Sequence, residues 1–382
     1  MYQLDKRVIE YCEKVEKETL DLIEEMSKIP APSGKEEKRA KFVKDWFNKI
    51  GASDVYVDQA LNVICPVDCK DKKEIVVFMA HTDVVFPDLN PLPFNKDDEY
   101  YYAPGIGDDT SCLASLMMIA KFVIQNRLTS PYGILFVANS CEEGLGNLKG
   151  IRQLMKDYGD KTVGVYTFDG SYTSLVNECV GSHRYEIEFT TEGGHSFGAF
   201  GNRNAIYAMS KLICDLYNCQ IPQKAGKKTT FNVGTVEGGT SVNTIAQQAK
   251  MLYEYRSDDR ECLQKMKEFF DGCIEKAKKE KLAEIQVKLV GDRPCKGEVD
   301  QDKLNKMTDF AVSVSKKYSG LDCKVNSGST DANIPLSMGI PSVCVGSHIA
   351  FGAHTREEKL LIKSVVPGLK ITAEIILNHF NV

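Results

Sequence analysis

No run of apolar residues in this 382-residue chain approaches the ~20 that a membrane-spanning helix requires. The start, Met1-Tyr2-Gln3-Leu4-Asp5-Lys6, lacks the uninterrupted apolar stretch of a signal peptide. Nor is there an excess of one charge: 48 basic against 53 acidic side chains leave a formal charge of −5, so bulk electrostatics favour no polyanion such as nucleic acid. The thirteen cysteines are odd in number and scattered. The closest pair, Cys65 and Cys69, has neither the two-residue spacing nor the second pair of a zinc ribbon or redox motif. They read as reduced, mostly buried thiols. Internal repeats and low-complexity segments are also missing. These absences predict a cytoplasmic protein with neither a membrane nor a nucleic-acid partner.

What is there is ordinary globular material. Hydrophobic residues make up 43% and charged residues 26%, enough for a sizeable core, and the length predicts two domains. Apolar residues recur at helical spacing from Leu4 through Val8, Tyr11, Val15, Leu22 and Met26 to Ile29, which predicts one amphipathic helix ending at Pro30-Ala31-Pro32. A second runs from about Lys35 to Ile50 and stops at Gly51. The period then changes. Runs at 75–80, 133–138 and 162–168 are continuously apolar and separated by helical stretches near 110–126 and 146–157, with a further run at 341–345. That pattern marks strands buried on both faces of a mostly parallel sheet covered by helices. Between 181 and 292 the texture shifts to alternating strands (184–190, 229–236, 248–255) and helices (203–218, 258–280). The expected organisation is an α/β catalytic domain formed by 1–180 and 293–382, with a smaller α+β lid or dimerisation domain inserted at 181–292.

In open α/β sheets ligands gather outside the carboxyl ends of parallel strands. Here those positions carry His81-Thr82-Asp83, Glu142-Glu143-Gly144 and Asp169-Gly170, with Gly107-Asp108-Asp109 just before the helix near 110. Each alone has a bland reading: a core histidine, a helix cap, a solvated face. Together they converge on one rim. Facing carboxylates repel and raise one another's pKa unless a cation neutralises them, so the set implies bound metal. Imidazole with carboxylates and no thiolate suits Zn, with Mn or Co as substitutes.

These segments, together with Gly193-Gly194-His195 and a late His354-Thr355, resemble in order and spacing the zinc metallopeptidases that include peptidase T, carboxypeptidase G and acetylornithine deacetylase. The resemblance runs from Ile29-Pro30-Ala31-Pro32-Ser33 to His354. It implies two divalent ions, Zn or else Co or Mn. Asp108 would bridge them, His81 and Asp169 would complete one site, and Glu143 and His354 the other. Asp83 would accept a hydrogen bond from His81 and fix its tautomer, and Glu142 would be the general base. The peptide between Asp108 and Asp109 would be cis. His195 would reach a neighbouring subunit's site in a homodimer built through the inserted domain, and Asn243 and Arg256 would bind substrate polar groups or a carboxylate. Arg256 is equally suited to an internal salt bridge. The loop 327–333 would shape the pocket.

His348 competes with His354 for the ligand role, but Gly352-Ala353-His354-Thr355 fits the family better, and His183 and His379 read as structural. Asp109-Thr110-Ser111-Cys112 departs from the family pattern at the helix start, not at a ligand. The expected activity is cleavage of an amide bond in small peptides, with an aminopeptidase like peptidase T, favoured by Asp169, ahead of a carboxypeptidase, dipeptidase or N-acyl deacylase. Other classes are weaker. A non-catalytic binding protein would have lost ligands, a nucleotide site lacks its complete glycine fingerprint, and a Cys141 thiolate beside two glutamates would be disfavoured.

Overall fold

The structure, a computed structural model, describes residues 4–380. Its main sheet has eight strands in the order 56–57, 63–67, 133–139, 75–81, 162–168, 342–345, 174–179, 324–328. The strand Ile75–His81 pairs in parallel with Gly133–Asn139 and Thr162–Phe168, and the latter pairs in parallel with Ser342–Val345. Antiparallel partners enter only outside this group, at 63–67 and 174–179.

The continuous apolar runs follow from two-sided burial. Val76, Phe78 and Ala80 join the core formed with the helices Glu16–Ser27, Ser111–Gln125 and Val365–Leu377, while Ile75, Val77 and Met79 point to the opposite core with Ile151 and Leu154 of Lys149–Tyr158. Side chains alternate across a strand, so a strand covered on both sides has no polar position to spare.

The chain divides into two compact units, one drawn from Met1–Cys179 and Gly297–Val382, the other Val180–Lys296. The second is an antiparallel sheet in the order 229–238, 248–257, 181–190, 284–293. Its core packs Tyr185, Tyr253 and Phe270 with the helices Ala205–Tyr217 and Arg260–Glu280.

Three elements differ from the sequence reading. The first helix divides at Val15, whose dihedrals (−91°, 7°) separate Lys6–Lys14 from Glu16–Ser27. Thr19 donates its hydroxyl to the Val15 carbonyl (2.8 Å), a back-bond that competes with helix geometry at this point. The edge strand Glu284–Arg293 adds to the inserted unit; the alternation of Ile285, Val287 and Leu289 carried its signal, but a bulge after Leu289 cuts it short. A small sheet of 350–351, 359–361, 100–102 and 95–96 was not foreseen, because its strands hold two or three residues each.

His379 belongs to the main core, edge-on to Phe78 and Tyr166, with Nε2 3.2 Å from the Tyr166 hydroxyl. Burial lowers its pKa from 6.5 to about 4. Between those values the unfolded chain binds a proton that the fold refuses. The stability His379 contributes is therefore complete above pH 6.5 and lost as pH falls toward 4, by up to about 3 kcal/mol. Urea unfolding of His379→Phe should show a correspondingly shallower loss of stability across this window than the wild-type protein; parallel pH profiles would contradict it.

Candidate metal centre

Strand ends set the stage. His81 is the last residue of its strand, Glu142 and Glu143 follow Gly133–Asn139, and Asp169 follows Thr162–Phe168, so three neighbouring parallel strands deliver their groups to one rim. Asp108 lies in the 106–110 turn ahead of the helix Ser111–Gln125, and its peptide to Asp109 is cis. His354 lies between the small-sheet strands 350–351 and 359–361 in a left-handed conformation (φ 64°).

The groups meet. Asp108 Oδ1 is 3.0 Å from His81 Nε2, and its Oδ2 is 3.0 Å from His354 Nε2. His354 Nε2 is also 3.1 Å from Glu143 Oε1. Three sets have candidate ligand atoms within 4.8 Å of one another: His81 with Asp108 and Asp169, Asp108 with Glu143 and His354, and His81 with Glu142 and Glu143. One carboxylate, Asp108, thus faces two donor sets.

The electrostatics call for a cation. Burial first, and then the Asp108 charge, push the Glu143 carboxyl up to about 9 and Asp169 up to about 7. Asp108 itself is held below the usual carboxylate range: burial opposes ionisation, but hydrogen bonds from His354 and His81 outweigh it. His354 is raised to about 9, chiefly by its bond to Asp108. The cluster is short of positive charge, and its donors, two imidazole nitrogens and carboxylates with no thiolate, suit a divalent ion of the zinc type.

Around these groups a shell of hydrogen bonds fixes the geometry. His81 Nδ1 lies 3.0 Å from the backbone carbonyl of Asp83 and 3.5 Å from its carboxylate. Within Asp83 the carbonyl is therefore the nearer partner for the His81 ring. The carboxylate is occupied elsewhere: it accepts the amides of Glu142 and Glu143 (both 2.9 Å) and the Ser33 hydroxyl (2.6 Å). It orients the adjacent glutamates.

Two residues with no expected role do as much. Arg39, fully buried on the helix Glu37–Lys49, donates to the carbonyls of Ile29 (2.6 Å) and Thr82 (2.9 Å), tying the Pro-rich loop to the segment between His81 and Asp83. Glu358 accepts the amides of Gly105 (2.7 Å), Gly107 (2.8 Å) and Asp108 (2.9 Å). Gly107 is required there, since a Cβ would stand 2.3 Å from Ala350 Cβ and 2.8 Å from Glu358 Oε1.

His348 is in none of the three sets. It is buried against the Cys112 thiol (3.3 Å), and burial lowers its pKa to about 4. Thr110 and Ser111, where the chain departs from the family pattern, give their hydroxyls to the carbonyls of Gly105 and Ile106. The Cys141 thiol is pushed up to about 12, by burial and then by Glu36, which removes the thiolate a thiol hydrolase would need.

In the second unit His195 is exposed on a two-residue strand paired with Thr244–Ile245, and the Ser196 amide bonds the Asn243 carbonyl (2.9 Å). His195 Nδ1 accepts from the amides of Phe197 (3.3 Å) and Gly198 (3.2 Å), which leaves the ring proton on Nε2. Arg256 is not with them. It sits eight residues beyond Gln248 on the strand Gln248–Ser257, about 27 Å along it at ~3.4 Å per residue, and pairs with Glu254 (3.1 Å).

YqjE of Bacillus subtilis is 24% identical over 392 residues, which cover 94% of this chain and 98% of that protein. Among solved structures, a tripeptidase from Staphylococcus aureus is 24% identical with a TM-score of 0.74, covering 94% of this chain and 97% of that one. The aminopeptidase PepT from Bacillus cereus is 22% identical with a TM-score of 0.71, covering 94% and 98%. At these identities the structural likeness is one of fold. A family model, that of Peptidase family M20/M25/M40, matches residues 77–378. Since that match takes in most of the sequence and every loop from His81 to His354 that bears a candidate ligand, the chain belongs to peptidase family M20/M25/M40.

Proposed function

We propose that this protein is a metal-dependent hydrolase of amide bonds in small peptides, an aminopeptidase of the peptidase T kind, working with two divalent ions, Zn in the native protein with Co or Mn as substitutes. The observation that carries the reading is the Asp108 carboxylate, with one oxygen 3.0 Å from His81 and the other 3.0 Å from His354. His81, Asp108 and Asp169 would hold one ion, and Asp108, Glu143 and His354 the other. Bound there, the ions supply Lewis acidity, making water more acidic and polarising the scissile carbonyl.

The chain's own groups do the rest. Glu142 takes the proton of the attacking water and hands it to the leaving nitrogen. Asp83 keeps Glu142 and Glu143 on separate tasks through their amides. His195 offers its Nε2 proton to the developing oxyanion, acting across a homodimer made through the inserted unit, with Asn243 beside it for substrate polar groups. Arg256, oriented by Glu254, takes a substrate carboxylate. An active monomer in light scattering would remove the cross-subunit role. The protein is assigned to the cytoplasm.

Chelation should abolish hydrolysis of free tripeptides, and titration with Zn, Co or Mn should restore it at two equivalents per chain. N-blocked peptides should resist cleavage. A reconstituted protein that binds no divalent ion would instead be a binding protein of the same fold.

A further inference from the structure

Against the metal ligands, and wholly within the unit that carries them, lies a cavity of about 430 Å³. Glu143 forms part of its wall; Pro32, Val85, Pro87 and Leu145 give it apolar sides, and Lys149 is the one cation that lines it. Lys149 is exposed and has no ion-pair partner among the described residues. It also occupies the first position of the helix Lys149–Tyr158, where a positive charge opposes the helix dipole and an acid would be favoured. Neither an ion pair nor helix stability accounts for a lysine here. The cavity has room for any side chain, so charge selects where size does not.

We propose that this cavity receives the side-chain carboxylate of an acidic substrate residue flanking the scissile bond, its stem against Pro32, Val85 and Pro87 and its charge against Lys149. The inference rests on the peptidase reading above and names a substrate class for it. A peptide's terminal carboxylate offers the same chemistry, so the test separates the two sources.

Tripeptides carrying Glu, Gln or Lys at each position flanking the cleaved bond, as free acids and as C-terminal amides, would be compared by kcat/KM. The wild-type enzyme should favour Glu over Gln by about 5- to 10-fold at low salt, in both acids and amides. Lys149→Met should level Glu and Gln, and Lys149→Glu should favour Lys. Both variants should fold, the position being exposed. A wild-type ratio near one, or a Glu preference that survives Lys149→Met, would overturn the assignment. A preference that vanishes on amidation would give the cavity to the terminus and overturn it as well. Cleavage of no peptide at all would fell the peptidase reading, and this inference with it.

Discussion

Replacing Glu142 by alanine should lower kcat for peptide hydrolysis by on the order of 10²- to 10⁴-fold, the range a positioned general base supplies, while bound metal stays near two per chain. Two adjacent glutamates enter the centre from one backbone anchor but with different partners. Their amides are both held at 2.9 Å by the Asp83 carboxylate, which fixes the backbone from which both side chains reach the centre. Glu143 meets His354 at 3.1 Å, whereas Glu142 gathers with His81 and Glu143. Removing Glu143 is therefore expected to cost metal as well as turnover, and removing Glu142 turnover alone. Metal analysis alongside steady-state kinetics checks this. A Glu142→Ala enzyme that still hydrolyses peptides would sink the assignment, and one that loses its metal would move Glu142 among the ligands.

The parts of the site legible in the sequence are those that strand chemistry puts there. His81, Glu142-Glu143 and Asp169 each follow a continuous apolar run, and such runs become parallel strands with one common carboxyl edge. Asp108 stood on that rim only as the turn ahead of a helix, and its bridging role came from the resemblance; His354 had no such frame, and the resemblance alone singled it out over His348. The choice has a physical ground that no sequence displays, since His348 is buried against Cys112.

What stayed hidden were charged groups whose neighbours are distant in sequence. Arg39 belongs to a helix rich in lysine, and its burial depends on carbonyls 10 and 43 residues away. Glu358 follows Arg356 and Glu357, a run that reads as a solvated face. The register of 359–361 against 100–102 carries it inside, and that register is set by three-residue strands with too little pattern to detect. For Arg256 the strand was legible, but its ion pair with Glu254 and its distance along the strand from His195 are matters of sheet register.

Glu358 should accordingly show a double effect. Its Oε1 accepts Gly107 and Asp108, and its Oε2 accepts Gly105, so truncation to alanine leaves three amides without their acceptor. At about 1–3 kcal/mol for each buried group left unmade, Glu358→Ala should destabilise the metal-free protein by at least about 3 kcal/mol. Glu358→Gln keeps one oxygen, able to serve Gly107 and Asp108, but turns an NH2 toward the Gly105 amide, so it should lose only about 1–3 kcal/mol. The same amides belong to the turn that presents Asp108 to both histidines. Loss of the clamp should therefore weaken metal binding by roughly 10- to 100-fold, as removal of ligand-orienting groups does, in the order alanine, glutamine, wild type. Denaturant unfolding of the apoprotein and metal titration of the folded protein separate the two effects. If stability falls while metal affinity holds, Glu358 braces the fold and nothing more. If both fall in that order, a carboxylate that touches neither metal nor peptide sets the position of the one residue on which the two-ion site turns.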